Sequence, residues 1–206
     1  MVLMDRDKEI LKIVYRMGFC LGRHIKDLLG FTSSRACDRR LSVLVNANYL
    51  SRKKYLYGIP YLYTVTHKGR ILIGANKREN KIRLEQINHD TKVLDVLIYS
   101  ISKYGFSLDD MESERELHIK DGFGNRKHHP DFIFQYQDKK YAVEVELTLK
   151  AKSTLEKNVR DNYLNYDKQI WVTCDKKIVS LLQKFADEYS NIEIQTFDNL
   201  VKAEEV

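Results

Sequence analysis

The sequence contains few of the residues that crosslink a chain or break its regular structure. Its only prolines are Pro60 and Pro130, and its only cysteines are Cys20, Cys37 and Cys174. An odd number of scattered cysteines fits neither a disulfide framework nor a zinc-binding motif, and it is typical of proteins of the reducing cytoplasm. We therefore expect unreactive, mostly buried cysteines and a cytoplasmic location.

Long apolar runs are missing as well. No stretch of about 18 apolar residues occurs, so we expect no transmembrane helix and no membrane partner. The first ten residues, MVLMDRDKEI, are charged and lack the apolar run of a signal peptide, so we do not expect one. The sequence also has no internal repeat and no low-complexity tract.

Positive charge is distributed unevenly along the 206 residues, whose formal net charge is +6. Residues 1–80 contain 16 Lys/Arg and six Asp/Glu, a net charge of +10. Residues 81–206 contain 19 Lys/Arg and 23 Asp/Glu, a net charge of −4. The basic excess therefore lies entirely in the first 80 residues, which predicts a module that binds a polyanion, joined to a module of another kind.

Apolar residues at helical spacing predict three helices in the basic part, over residues 5–17, 21–29 and 33–46. One of the three hydroxyl residues at positions 32–34 can cap the third helix. The segment that follows alternates polar and apolar residues and is interrupted at Gly58, which predicts two strands around a turn. Residues 67–74 return to helical spacing.

Three helices followed by a hairpin is the order of a winged helix-turn-helix, which we predict for residues 1–78. The run Thr66-His67-Lys68-Gly69 is similar to the T-x-x-G step that follows the wing in many bacterial regulators. The start of such a third helix enters the DNA major groove, and the wing contacts phosphates or the minor groove. The predicted partner is double-stranded DNA. The predicted DNA-binding residues lie on the third helix and the hairpin: Ser34, Arg35, Arg39, Arg40, Arg52, Lys53 and Lys54.

The acidic part of the chain predicts a second domain over residues 87–206, after a helical connector over residues 79–86. A helix is expected first, and a turn at Asp138-Lys139 is expected between two of the strands. The predicted helices cover residues 87–104, 150–166 and 176–189, and the predicted strands cover 113–120, 131–136, 140–147, 169–174 and 191–195. The order αβββαβ is that of the restriction-endonuclease-like PD-(D/E)xK core, so the fold class expected is a two-domain α+β chain.

Three carboxylates of this second part form a pattern that can carry chemistry. Glu144 and Glu146 stand two apart in a strand and therefore point to one face. The hairpin brings Asp131 next to them. Clustered carboxylates repel one another unless a hard cation such as Mg²⁺ or Mn²⁺ joins them. The sequence thus predicts a metal site at Asp131, Glu144 and Glu146, while the alternative is that the glutamates only line the wet face of the strand.

The run Pro130-Asp131…Glu144-Val145-Glu146-Leu147-Thr148…Lys150…Ser153, with Tyr163 further on, resembles the replication-relaxation family, which includes relaxases of mobilisable plasmids. The resemblance covers roughly residues 5–175. It implies a winged helix before a nuclease-like domain and metal-dependent nicking of DNA in plasmid replication or mobilisation. The catalytic residues that it implies are His89, Glu114, Asp131, Glu144, Glu146 and Lys150.

One position departs from the wider nuclease signature, because Glu146 stands where a lysine is usual. Lysine there steadies the charge of the transition state, and Lys150 or Lys152 could reach back to replace it. Two alternatives to a nicking enzyme therefore stay open. One is a non-catalytic DNA-binding regulator of replication or transcription with a vestigial nuclease fold, and the other is an adaptor that binds a protein partner. Other replication or transfer proteins are further expected partners. The oligomeric state is also left open.

Overall fold

The computed structural model describes residues 2–55, 57–75, 82–122 and 127–197. The chain divides into two compact units, Met1–Ile98 and Tyr99–Val206. Each unit contains one β-sheet with helices, so the predicted α+β class is confirmed. The division falls within one long helix, whereas the sequence assigned that whole helix to the second domain. Residues 76–81, which include part of the predicted connector, lie outside the described residues.

The first unit consists of three helices, a small antiparallel sheet and a short fourth helix. The sheet order is β1-β3-β2, and β3 pairs with both neighbours. Strand β1 was not predicted, because two residues are too few to show an alternating pattern. The elements are α1 (Asp5–Met17), β1 (Cys20–Leu21), α2 (Gly22–Leu28), α3 (Ser34–Asn46), β2 (Leu50–Lys53), β3 (Leu62–Val65) and α4 (His67–Leu72).

Local hydrogen bonds explain where α3 and α4 begin. The Ser33 hydroxyl accepts a hydrogen bond from the Ala36 amide at 3.2 Å and so caps α3. The Thr66 hydroxyl accepts from the Gly69 amide at 3.1 Å and donates to the Asn48 carbonyl at 2.6 Å. A Cβ on Gly69 would lie 2.3 Å from the Tyr49 carbonyl oxygen. The T-x-x-G spacing therefore allows α4 to approach the backbone that precedes β2 closely.

The second unit contains a five-stranded mixed sheet of order β4-β5-β6-β7-β8. The pairs β4–β5 and β5–β6 are antiparallel, and the pairs β6–β7 and β7–β8 are parallel. Helix α5 (Ile87–Tyr104) contributes to both units. The further elements are β4 (Met111–Ser113), α6 (Glu114–Asp121), β5 (Phe132–Tyr136), β6 (Lys139–Val145), α7 (Lys152–Asn165), β7 (Lys168–Val172), α8 (Lys176–Ala186) and β8 (Ile192–Gln195).

The strand predicted over residues 113–120 is wrong, because α6 occupies most of that segment. A capping box starts the helix: the Ser113 hydroxyl accepts from the Glu116 amide at 3.4 Å, and the Glu116 carboxylate accepts from the Ser113 amide at 2.8 Å. The alternation of polar and apolar residues was misleading, since only Leu117 of the helix is buried. The strand itself is shorter and earlier, at β4.

The hairpin turn between β5 and β6 lies one residue earlier than predicted. Gln137 and Asp138 have φ angles of 49° and 58°, and Tyr136 pairs with Lys139 across the turn. Two left-handed residues between paired strands are typical of a type I′ turn, which matches the twist of the strands. The turn sets the register that places the residues of β5 opposite those of β6.

Apolar side chains from helices and strands pack around this sheet. Trp171 of β7 is fully buried with residues of α7 and α8. Phe134 stacks on Phe106 at 4.3 Å and on Tyr141 at 4.9 Å between ring centroids.

In the described part of the chain, no helix combines the length and apolarity that crossing a membrane requires.

Candidate functional site

The first unit exposes basic side chains on α3 and on the hairpin between β2 and β3. On α3, Ser34, Arg35 and Arg39 are exposed. On the hairpin, Arg52 stacks over the ring of Tyr61 at 4.6 Å, and Lys54 lies 5.8 Å from the ring centroid of Tyr57. We define the basic face as Arg35, Arg39, Arg52, Lys53 and Lys54.

Arg40 differs from the other predicted DNA-binding residues, because the protein itself binds its guanidinium. Arg40 forms an ion pair with Asp7 of α1, whose side chain is fully buried, and donates to the Val2 carbonyl at 3.2 Å. Burial alone would raise the pKa of Asp7, but the hydrogen bond and charge of Arg40 hold it below its usual value. We therefore assign Arg40 a structural role, in joining α1 to α3, and leave it out of the basic face.

In the second unit, Asp131 and Glu144 meet at the hairpin of β5 and β6. Phe132 pairs with Val143, so the next step of the same register sets Asp131 opposite Glu144. Directly opposed residues of antiparallel strands point to the same face. The Asp131 carboxylate also accepts a hydrogen bond from the Val145 amide at 2.7 Å, which holds it against β6. We call Asp131, Glu144 and Glu146 the acidic site.

Glu144 is buried, and two side chains from other elements contact its carboxylate. His128 Nε2 lies 2.6 Å and Asn162 Nδ2 lies 2.8 Å from the same carboxylate oxygen. Burial lowers the pKa of His128, but the hydrogen bond and charge of Glu144 outweigh burial and raise that pKa above its usual value. A histidine and an amide thus contact the Glu144 carboxylate, for which the sequence predicted a cation.

Glu146, also buried, pairs with Lys150, which follows β6. Lys150 Nζ lies 2.7 Å from Glu146 Oε2. Burial opposes protonation of Lys150, but the hydrogen bond to Glu146 and the charges of Glu146, Glu144 and Asp131 together raise its pKa. Lys150 therefore stays protonated and experiences the charge of all three carboxylates. It reaches back from outside the strand to Glu146.

The remaining predicted catalytic residues, His89 and Glu114, lie on other elements. His89 lies on the first turn of α5 in the first unit, with Nδ1 3.3 Å from Asp90. Glu114 begins α6, and its half-exposed side chain lies 3.4 Å from His118. Its backbone amide donates to the Asp131 carbonyl at 2.8 Å. The backbone of Glu114 thus supports the acidic site, while its side chain contacts His118.

Sequence reasoning missed Asn162, although a signal for it exists. The buried residues of α7 are Leu155, Asn158, Val159 and Asn162. These four residues lie at the spacing of one helix face, and two of them are asparagines. A buried amide costs free energy unless it is hydrogen-bonded, so an asparagine in a core stripe points to a polar partner. Here the partner of Asn162 is Glu144.

The acidic site fits a divalent cation in donor chemistry but not in the number of converging ligands. Carboxylate oxygens are the ligands that Mg²⁺ and Mn²⁺ prefer. Among the described residues, however, no group of three His, Cys, Asp or Glu side chains is placed to hold a metal ion. Glu144 already accepts two hydrogen bonds, and Glu146 is paired with Lys150. Asp131 and Glu144 are the residues that could contribute ligands once these partners move.

The chain was compared with models of protein families, with curated proteins and with solved structures, and none of the three comparisons found a match. The resemblance to the replication-relaxation family therefore stays a prediction from the residues quoted above. Likewise, the predicted site residues rest on their chemistry and geometry alone.

Proposed function

We propose that this chain is a DNA-binding protein whose first unit is a winged helix that binds double-stranded DNA. The observation that carries the proposal is the combination of element order and exposed charge. The order α1-β1-α2-α3-β2-β3, with an antiparallel sheet of order β1-β3-β2, is the one we expect of a winged helix and supports the proposal. In that fold α3 is the recognition helix, and the β2–β3 hairpin is the wing.

The basic face supports this assignment because its side chains are exposed on just these two elements. Arg35 and Arg39 lie on exposed positions of α3. Arginine donates bidentately to guanine edges or phosphates, and lysines on a wing neutralise phosphates. Because Arg40 is bound by the buried Asp7, Arg39 is the one of these two neighbouring arginines that can contact DNA.

The test measures binding of a fluorescent DNA duplex by anisotropy at several salt concentrations. We expect the double variant Arg35→Ala/Arg39→Ala to weaken binding by about 1–3 kcal/mol and to flatten the salt dependence, because fewer counterions are released. The matched control, Lys8→Ala/Lys12→Ala, removes the same charge from exposed positions of α1 in the same unit. Equal losses of affinity in both variants would mean that the effect depends on net charge alone. Absence of salt-sensitive binding in the wild type would favour the adaptor alternative.

A second candidate function is metal-dependent nicking of DNA by the second unit. Two features support it: the β5–β6 register, which continues from Phe132 and Val143 toward Asp131 and Glu144, and the pairing of β4 to β7, which is the one we expect of a restriction-endonuclease-like core. Asp131 and Glu144 would hold Mg²⁺ or Mn²⁺. When bound, the cation would activate water and stabilise charge on the phosphate. Protonated Lys150 would place a further positive charge near that phosphate.

The second test measures conversion of supercoiled DNA to open circles with Mg²⁺ or Mn²⁺. We expect Asp131→Asn to abolish nicking while DNA binding is retained, because the basic face lies on other residues. Asp109→Asn, an exposed aspartate of the same unit, is the control. Nicking that survives in Asp131→Asn would exclude the acidic site as its source.

A role in plasmid replication or mobilisation, with other replication or transfer proteins as partners, follows from the resemblance and stays part of this proposal.

A further inference from the structure

A pocket of about 260 Å³ opens in the first unit where α2, the beginning of α3 and the hairpin meet. Its lining includes Gly22 and Lys26 of α2, Ser34 and Asp38 of α3, and Tyr61 and Tyr63 of the hairpin. Sites for drug-sized ligands have volumes of about 300–1,000 Å³, so this pocket suits a single ring system with its substituents. It adjoins the start of α3, which the proposed winged helix directs at DNA.

Tyr61 and Tyr63 form the aromatic wall of the pocket. Arg52 stacks over the ring of Tyr61 at 4.6 Å. Tyr63 is buried, whereas Tyr61 is half exposed. The contact with Arg52 and the burial of Tyr63 restrict the two rings, and an aromatic ring held in this way is a stacking surface for a planar ligand.

The polar lining suits a nucleotide. Asp38 can accept hydrogen bonds from an exocyclic amino group such as that of cytosine. Lys26, about one third exposed, lines the pocket, and its ammonium group pairs with Asp27 at 3.0 Å. A Cβ on Gly22 would lie 3.5 Å from Asp38 Oδ1 and 3.8 Å from Tyr63 Cε2. The absence of a side chain at Gly22 therefore keeps open the space between the acid and the ring.

We propose that this pocket holds one unpaired nucleotide of DNA bound to the first unit. Its base stacks on the aromatic wall, its amino group donates to Asp38, and its phosphate lies toward Lys26. A base inside a duplex is covered by its neighbours on both faces, so only an unpaired or extruded base can enter a pocket. The inference rests on the proposed DNA binding and narrows the substrate to DNA that contains unpaired positions.

The experiment measures, by fluorescence anisotropy, binding of the 206-residue chain to three DNAs. They are a short duplex, the same duplex with one unpaired cytosine, and the duplex with one unpaired thymine. Stacking of a base on an aromatic side chain contributes roughly five- to 150-fold in affinity. We expect the wild type to prefer the unpaired cytosine to the paired duplex by about tenfold. Tyr61→Ala and the pocket-filling Gly22→Ala remove this preference, and Tyr61→Phe keeps it. Asp38→Asn reduces the preference for cytosine over thymine.

The matched control is Tyr57→Ala, which removes a fully exposed tyrosine of the same hairpin that does not line the pocket and so keeps the preference ratio. Equal affinity of the wild type for paired and unpaired DNA overturns the pocket and leaves duplex binding standing. Loss of the preference in Tyr57→Ala as much as in Tyr61→Ala overturns it too, because the tyrosines would then act without the pocket. Binding to none of the three DNAs overturns both proposals.

Discussion

The two units differ in where their charged groups lie. In the first unit the arginines and lysines of the basic face are exposed, and the buried pair of Asp7 and Arg40 joins two helices. In the second unit Glu144, in the central strand β6, and Glu146, directly after it, are buried, and each has its own partner. The exposed basic side chains are accessible to a polyanion. The buried carboxylates must first exchange their internal partners before they can bind a ligand.

Native residues allow the stability of each unit to be measured separately. Trp171 is the single tryptophan and is buried in the second unit. Cys20 and Cys37 are free, buried thiols of the first unit, and burial raises the pKa of both, that of Cys37 to about 11. Tryptophan fluorescence therefore follows unfolding of the second unit, and thiol labelling of these cysteines follows unfolding of the first.

The largest effect is expected from Asp7→Ala in the first unit. The substitution leaves Arg40 without its carboxylate, and breaking a buried ion pair costs about 3–5 kcal/mol of unfolding free energy. Protection of Cys20 and Cys37 from thiol labelling in urea gives the measurement. Asp5→Ala, which removes a fully exposed carboxylate from the same helix, is the control and changes stability little. A loss below about 1 kcal/mol for Asp7→Ala would mean that the pair is solvated.

A smaller effect is expected from Glu144→Gln in the second unit. The glutamine can still accept from Asn162, but it removes the negative charge next to His128. Hydrogen bonds to charged groups contribute about 1.5–3 kcal/mol, so we expect a destabilisation of that size, measured by urea unfolding with Trp171 fluorescence. Glu156→Gln, at an exposed position of α7, is the control. A neutral or stabilising result would restore the interpretation that the carboxylates mainly repel each other.

The smallest expected effect is the pH dependence of one histidine in each unit. The folded pKa of His128 is raised, so its contribution to stability is complete below the unfolded value of about 6.5 and is lost as pH rises through the folded pKa. The cost of His128→Asn should therefore decrease from pH 6 toward higher pH. The pKa of His129 is lowered by burial and also by nearby positive charges, of which His128 is one, so His129 titrates in both proteins but not identically.

His24 in the first unit is expected to show the opposite pH dependence. Burial lowers its folded pKa against the opposing hydrogen bond to Asp95, so the neutral ring is the form that stabilises the fold. Its contribution is complete above about pH 6.5 and is lost as pH falls, so the cost of His24→Asn should decrease toward acid. Thiol labelling for the first unit and Trp171 fluorescence for the second give the two profiles. Equal slopes in both units would contradict the assigned charge states.

Local patterns account for the elements that were predicted well. Helices α1 and α5 begin and end where their apolar spacing places them, at residues 5–17 and 87–104. Both helices have a continuous apolar stripe, so periodicity alone defines them. Helix α6 was mistaken for a strand because it buries a single residue, and a short capping box determined its structure instead.

The site could be predicted only as far as the strand pattern reaches. Strand parity and a short hairpin led to the prediction that Asp131 lies near Glu144, and the Asp131 carboxylate accepts from the amide of Val145, the residue after Glu144. The contacts of Glu144 with His128 and Asn162 join residues 16 and 18 positions apart through different elements. No local pattern specifies such pairs, because the loop and α7 reach Glu144 only after the sheet has formed.

By itself the sequence determined the helices with continuous apolar stripes, the excess of positive charge in the first 80 residues and the carboxylates of one hairpin, because each follows from composition or from neighbours along the chain. Only the tertiary structure determined which charged side chains are exposed and which are bound within the protein. Arg40 is bound by Asp7, 33 residues away, while its neighbour Arg39 is exposed. The reason is physical: a buried charge requires a partner, and only the packing of distant helices determines which residue becomes buried.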